Sequence, residues 1–154
     1  MARLADGFHF VGTPEVYAEY AEALQRRGRD PQSIPIYDSR EFWVAETAEQ
    51  AWEEAKDHLF YSYSNYAVWR AAADVADGRP PGPAPWSTPE DMLKREEHML
   101  FLGDPADVVS KFKQRQAKVP ITDTIMRAPP GMEHHKVFKC MELVARDVMP
   151  YFSD

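Results

Sequence analysis

Residues 7–28 read GFHFVGTPEVYAEYAEALQRRG and decide the fold, because they contain a strand followed directly by a helix. The apolar run at residues 8–11 lies between two glycines, which is typical of a short strand between turns. Thr13-Pro14-Glu15 then supplies an N-cap residue, a first-turn proline and a first-turn acid. Residues 2–6 have the pattern of a last helical turn. One face of the new helix is apolar, since its large residues recur at helical spacing: Val16, Tyr17, Tyr20, Ala21 and Leu24.

A second strand and helix follow. Residues 34–45 are rich in Ile, Tyr, Phe, Trp and Val, which favours a strand. Thr47 caps the next helix, whose apolar face continues to about Val75. This helix contains three candidate breaking residues: Ser62, Ser64 and Asn65.

Residues 78–89 form a proline-rich segment. Each proline removes an amide donor and restricts φ, so the segment is predicted to be an extended surface loop. A short helix begins after Thr88 and ends near Glu97, and a short apolar run at residues 98–102 ends at Gly103. Another helix opens at Asp104-Pro105.

The third strand and the last helix complete the pattern. Residues 121–127 alternate as a strand does, and a helix is predicted over Met132–Met149, with Pro150 ending it. The alternation of strands and helices predicts an α/β fold, with about three parallel strands and covering helices in one domain, residues 1–154. Such a sheet has bare edges and one poorly covered face, so we expect something else to complete it.

Composition narrows the classes of function. The chain has 154 residues, 18 Lys and Arg against 25 Asp and Glu, and a net charge of −7. This acidic balance argues against a nucleic-acid partner. No run approaches the ~18 apolar residues of a membrane span, and no signal peptide is recognisable. The single Cys140 excludes an intramolecular disulfide and a cysteine-based zinc cluster, which favours a reduced, cytoplasmic compartment.

Four segments together resemble the C-terminal part of the luciferase-like monooxygenases. They occur in the right order and spacing over nearly the whole chain: Ala5-Asp6-Gly7-Phe8, Gly12-Thr13-Pro14-Glu15, residues 101–108 (FLGDPADV) and residues 143–150 (LVARDVMP). The resemblance implies a flavin- or deazaflavin-dependent oxidoreductase built on a (β/α)8 barrel. Residues 8–11, 34–40 and 121–127 would be its sixth, seventh and eighth strands, and residues 78–89 would belong to an insertion before the last strand.

Length is the main departure from this family. A full barrel needs ~250 residues, so the chain is expected to be a partial TIM barrel, truncated relative to the family. The part that carries most flavin contacts in the family would precede Ala5-Asp6-Gly7. We therefore expect FMN or a deazaflavin as the cofactor and a small organic substrate, but no activity without the missing strands. These would come from a partner or from self-association.

Barrel active sites lie at the carboxyl ends of the strands, and this placement singles out four residues. His9 could polarise a substrate carbonyl or a flavin oxygen, or it could be a hydrogen-bonded histidine beneath a helix. Arg40 and Arg127 could hold an anionic group, since a guanidinium presents a rigid fork of donors; surface ion pairs are the alternative for both. Ser39 is the candidate cofactor-binding residue.

Three further features have structural explanations. Adjacent histidines in Glu133-His134-His135 point about 100° apart on a helix, which favours a solvated first turn over a metal site. Cys140 lies on an apolar stripe and is predicted to be a core thiol. An aromatic cluster suits a flat ligand or packing against a neighbour equally well; its members are Phe60, Tyr61, Tyr63, Tyr66 and Trp69.

The sequence leaves two functions open. One is the C-terminal section of a flavin-dependent monooxygenase or oxidoreductase, from a shortened or divided gene. The other is a non-catalytic αβ module that dimerises and acts as a binding or scaffold protein. An incorrectly assigned start codon is a third explanation for the expected truncation.

Overall fold

The computed structural model describes residues 6–10, 12–82 and 84–152. The predictions for residues 2–5, Val11 and Pro83 lie outside this part of the chain. Four strands alternate with five α-helices: β1 Phe8–Phe10, α1 Pro14–Gln25, β2 Ile36–Val44, α2 Ala48–Ala76, α3 Pro89–Glu96, β3 Leu100–Gly103, α4 Pro105–Gln116, β4 Asp123–Arg127 and α5 His134–Leu143. No helix in the described part is long and apolar enough to cross a membrane.

All strand pairs in the described sheet are parallel, as the alternation of strands and helices predicts. The nine-residue strand β2 lies at the centre of the sheet. Tyr37 pairs with His9 of β1 and with Asp123 of β4, so β1 and β4 lie on opposite edges of β2. Glu41 pairs with both Leu100 of β3 and Arg127 of β4. Strands β1 and β3 therefore follow one another along the same edge of β2.

Strand β3 is the main difference from the predicted topology, which had about three strands. Leu100–Gly103 pairs with the carboxyl end of β2, and all four of its residues are buried. A short strand that is buried on both faces has no alternation of apolar and polar residues, so periodicity does not reveal it.

Helices α1 and α4 cover one face of the sheet. The side chains of β2 alternate between the two faces, and Ile36 packs on this side in a core with Phe10 and Leu24. Further along β2, the ring of Phe42 lies 6.1 Å from that of Phe112 on α4. This side contains the standard core of the α/β fold.

Helix α2 is one continuous helix of 29 residues. The Thr47 hydroxyl accepts a hydrogen bond from the amide of Gln50 at its start, as expected for an N-cap. The candidate breaking residues do not interrupt it, and the Asn65 side chain donates to the carbonyl of Tyr61 within the helix. The first half packs on the core through Ala51, Ala55 and Leu59.

The C-terminal helix is shorter than the predicted span of residues 132–149. The α-helix covers His134–Leu143 and continues as a π-helical turn, Val144–Val148, and a 3₁₀ turn, Met149–Tyr151. Pro150 lies in the last turn and has no amide to donate, which accounts for the change of helical type near this point.

Candidate functional site

The second face of the sheet holds the candidate site. Tyr37, Ser39 and Glu41 of β2 alternate with the residues that face α1 and α4, so their side chains lie on this side. Their register partners on the neighbouring strands are His9, Asp123, Ile125 and Arg127. We call this surface the open face.

Helix α2 covers the carboxyl end of the open face. The indole Nε1 of the fully buried Trp43 donates to Oε2 of Glu54 on α2 at 2.9 Å. Toward the amino end, Tyr37 and Ile125 are 37% and 45% exposed. Helix α2 thus covers the open face where the strands end and leaves it uncovered where they begin.

An ion pair joins β2 and β4 at the carboxyl end. The Arg127 guanidinium lies 2.9 Å from the Glu41 carboxylate, and their side chains are 47% and 14% exposed. Burial raises the pKa of Glu41, and the charge of Arg127 opposes this shift. Burial also raises the pKa of Tyr63 on α2, and the negative charge of Glu41 adds to that shift. The strand ends therefore carry a partly buried acid beside a cation that still reaches solvent.

Ser39 is buried on the same face, with 1% of its surface exposed. Its Oγ has no hydrogen-bond partner in the described part of the chain. A buried hydroxyl without a partner costs free energy. Its hydrogen-bonding capacity is therefore unused.

His9 is exposed, and Tyr37 is its register partner on β2. It is not buried beneath a helix, which was the structural alternative to a catalytic role. His9, Ser39 and Arg127 thus lie on the same face of three neighbouring strands, with His9 four register positions nearer the amino end than Arg127.

Arg40 lies apart from these three residues. It points to the opposite face and is fully buried. Its Nε and Nη2 donate to the Asp38 carboxylate at 2.8 and 2.7 Å, and its Nη1 donates to Sδ of Met99 at 2.7 Å. The expected alternative to an anion site was a surface ion pair, whereas the ion pair found here is buried. A role for Arg40 in holding an anion stays a prediction.

Sequence reasoning missed Asp38, Glu41 and Arg115. Alternation along β2 puts Glu41 on the same face as Ser39, and the register with β4 would have placed it opposite Arg127. The packing of Arg115 from α4 against Asp38, at 3.2 Å, joins residues 77 positions apart and leaves no local signal.

The remaining candidates are explained by structure. Cys140 is a buried core thiol, as predicted, and its Sγ accepts a hydrogen bond from the amide of Val44 at 3.3 Å. His135 pairs with Glu133 on an exposed turn. In the described ranges, no three His, Cys, Asp or Glu side chains are grouped so as to hold a metal ion. The aromatic cluster divides: Phe60 and Tyr63 pack on the core, while Tyr61, Tyr66 and Trp69 are exposed.

The open face fits part of a flavin site. A polar, planar ligand needs donors and acceptors on an otherwise apolar wall. Ser39 offers an unused buried hydroxyl and Arg127 an accessible guanidinium. The exposed side chains of Tyr37 and Ile125 supply apolar surface on the same face.

Comparison with known proteins identifies the family to which the chain is similar. A family model described as luciferase-like monooxygenase matches residues 1–120. No curated protein matches the chain.

Several solved structures share the fold. The monooxygenase RslO1 from Streptomyces bottropensis superposes with a TM-score of 0.61 at 16% identity, over 96% of this chain and 42% of that one. The coenzyme F420-dependent tetrahydromethanopterin reductase from Methanopyrus kandleri superposes with a TM-score of 0.66 at 20% identity, and the match covers 99% of this chain and 47% of the reductase. The oxygenating constituent of 3,6-diketocamphane monooxygenase from Pseudomonas putida, in complex with FMN, superposes with a TM-score of 0.59 at 18% identity. That match covers 93% of this chain and 41% of the monooxygenase. The chain thus spans less than half the length of each of these structures.

Proposed function

Because the chain belongs to the luciferase-like monooxygenase family, we propose that it forms one wall of a flavin-dependent oxidoreductase site on its open face. In this proposal β1, β2 and β4 correspond to the sixth, seventh and eighth strands of the barrel. The unpartnered buried hydroxyl of Ser39, beside the Glu41–Arg127 pair, is the observation that carries the proposal. A cytoplasmic location belongs to the same proposal, since Cys140 is a free thiol.

The cofactor is FMN or a deazaflavin. When bound, it would supply oxygen activation in its reduced form, or hydride transfer to a small organic substrate. The Arg127 guanidinium, which reaches solvent, would hold an anionic group of the cofactor or substrate. The Ser39 hydroxyl is buried in the chain alone and would hydrogen-bond a polar edge of the ring system where the bound cofactor displaces its cover. Glu41 keeps Arg127 in place through their ion pair.

His9 has the accessibility that a proton donor to substrate needs. An imidazole can give or take a proton near neutral pH, so it suits the activation of a carbonyl oxygen. Removing this group by His9→Asn would lower turnover more than flavin affinity.

The chain needs a complement for this function. Tyr37 and Ile125 leave apolar surface on the open face, and β4 pairs with no strand on its far edge among those described. Such an edge and face favour cover by further strands. We propose that an N-terminal partner segment or a second copy supplies it.

Flavin titration tests the proposal. FMN and F420 are each titrated into the chain alone and into the chain with an N-terminal partner segment, with flavin fluorescence as the readout. We expect stoichiometric binding of one of them in the complemented state, and at least several-fold weaker binding by R127Q. The matched control is R26Q, which removes an exposed arginine at the C-cap of α1. Absence of binding in every state would refute the flavin proposal.

A dimerising scaffold is the second candidate, and one observation favours it. The second half of α2 carries five residues at the four-three spacing of a coiled-coil seam. Four of them are exposed and carry apolar or aromatic side chains, and the fifth, Asn65, is polar and half-buried: Tyr61, Asn65, Val68, Ala72 and Val75. Tight flavin binding by the chain alone would exclude a purely scaffolding role.

A further inference from the structure

A cleft of about 680 Å³ lies on the side of the sheet opposite the open face. It is bordered by the start of α1, the 3₁₀ turn Glu97–Met99 and helix α4. Four basic side chains line it, His98, Lys111, Arg115 and Lys118, together with three acids, Glu15, Glu97 and Asp107. None of them belongs to the proposed flavin wall.

Behind the wall of this cleft, one buried carboxylate serves two guanidinium groups. Asp38 is fully buried and is the shared acidic partner of two guanidinium groups. Arg40 contacts both oxygens of Asp38, at 2.8 and 2.7 Å, and Arg115 reaches Oδ1 at 3.2 Å. One carboxylate thus faces two cations, and an uncompensated buried charge is costly.

Arg115 retains an unused hydrogen-bond donor. Its side chain is 11% exposed, and its Nε has no hydrogen-bond partner in the described part of the chain. Its Nη2 donates to the Gly12 carbonyl at 2.6 Å, and its guanidinium lies 4.7 Å from the ring centroid of Phe10. These contacts fix the guanidinium at the wall of the cleft without neutralising it.

The acids that line the cleft do not neutralise Arg115. They are Glu15, Glu97 and Asp107. Among the described residues, the carboxylate that lies within 4.0 Å of the Arg115 guanidinium is that of Asp38. The Thr13 hydroxyl is hydrogen-bonded to Glu15 and lowers the pKa of that carboxyl. Burial lowers the pKa of the Arg115 guanidinium, and the charge of Arg40 adds to this effect.

Lys111 and Lys118 place two more ammonium groups at the cleft. The Nζ of Lys111 donates to the carbonyls of Leu100 and Leu102, at 3.4 and 2.9 Å, which holds its charge near the end of β3. Lys118 is exposed at the rim. Glu97 and Asp107 act on the charge of Lys111, and Lys118 acts on Glu15, so both ammonium groups have acids near them. Arg115 is the cation of the cleft whose acidic partner, Asp38, is shared with a second guanidinium.

We propose that this cleft binds an oxyanion, a phosphate or carboxylate group of a small molecule, with Arg115 as its recognition residue. The planar fork of a guanidinium matches the geometry of such groups, and charge-assisted hydrogen bonds to it are stronger than neutral ones. The site does not depend on flavin binding, because it lies across the sheet from Ser39 and Arg127.

Calorimetric titration with inorganic phosphate at fixed ionic strength tests the proposal. We expect saturable binding to the full chain, a ~10-fold higher Kd for R115Q, and a smaller loss for K118Q. R26Q, at the C-cap of α1, should bind phosphate as the wild type does. No saturable binding by the wild type, or equal binding by R115Q, would overturn the proposal.

Two further variants and a flavin control keep the test decisive. If R115Q does not fold, R115K preserves the charge without the fork and should still bind phosphate more weakly than the wild type. If R115K and K118Q then bind phosphate as tightly as the wild type does, the proposed site is wrong. Under conditions where the complemented wild type binds FMN, R115Q or R115K should bind it equally well. Joint loss of FMN and phosphate binding would contradict a separate site.

Discussion

At the residue scale, the Glu41–Arg127 pair links stability to pH. Burial raises the pKa of Glu41 above its ordinary value of 4.5, so the folded chain holds this proton more tightly than the unfolded chain. The corresponding stability is present below pH 4.5 and is lost as the pH rises through the raised pKa. Arg127 limits that loss by favouring the ionised carboxylate.

R127Q should therefore lower the free energy of unfolding more at pH 7 than at pH 4, with a difference of about 0.5–1 kcal/mol. Urea unfolding at the two pH values measures it. The control R26Q breaks a pair that is exposed on both sides and should show a smaller difference. An equal effect of R127Q at both pH values would mean that Arg127 does not act through the ionisation of Glu41.

Ser39 offers a second prediction at this scale. S39A removes a buried hydroxyl without a partner, so the free energy of unfolding should stay the same or rise by up to ~1 kcal/mol. Flavin affinity of the complemented chain should fall several-fold. S33A is the contrasting control, since the Ser33 hydroxyl donates to the Asp30 carbonyl at 2.7 Å on the surface. A destabilised S39A with unchanged flavin affinity would assign Ser39 a structural role.

The face on which a candidate residue lies was predictable where its strand position alone determines it. Ser39 and Arg127 lie where the period-two alternation and the ends of the strands place them; their roles in a site stay predictions. The same alternation puts Arg40 on the face opposite Ser39, but its burial and its contacts with Asp38 on its own strand and with Met99 far along the chain were not predictable. Whether a charged strand residue is buried and paired depends on such distant partners.

At the element scale, the end of β3 depends on one glycine. Gly103 has φ +151°, a region that other residues rarely adopt, and a Cβ there would lie 2.7 Å from Cβ of Asp107. G103A should therefore lower the free energy of unfolding by about 1–3 kcal/mol. G82A is the matched control, since its nearest atom would be Asp74 Oδ2 at 3.8 Å. Equal thermal unfolding curves for G103A and G82A would show that the end of β3 tolerates a side chain.

The exposed stripe on α2 leads to a prediction about association. Val68 lies in its middle and is 57% exposed. If two copies pair along this stripe, Val68→Asp should shift the sedimentation coefficient from dimer to monomer, because the new charges would face an apolar seam. Q25E adds charge on the surface of α1 and should leave the coefficient unchanged. A wild type that stays monomeric at high concentration would rule out this seam.

Long elements with clear spacing were predictable, and short buried elements were not. Helices α1 and α2 follow from their caps and apolar faces, and β2 follows from its β-branched and aromatic residues. The four residues of β3 are too few and too uniformly apolar to show a period. The change of helical type after Leu143 involves backbone hydrogen bonds that apolar spacing does not report.

At the scale of the whole molecule, the sheet is well covered on one side only. Helices α1 and α4 pack against one face, and α2 roofs the carboxyl end of the other. The sequence predicted parallel strands in an incomplete sheet, because three βα units cannot form a ring of eight. Family membership follows from the match over residues 1–120. The cleft beside Arg115 was not predictable, since it arises where α1, the Glu97–Met99 turn and α4 meet.

The central claim is that the open face forms one wall of a flavin site. Amide chemical shifts of the ¹⁵N-labelled chain, recorded with its complement during FMN and F420 titrations, test it most directly. We predict saturable shifts centred on Ser39, Glu41 and Arg127, with little change at Arg115. Shifts confined to α1 and α4, or none with either flavin, would contradict it.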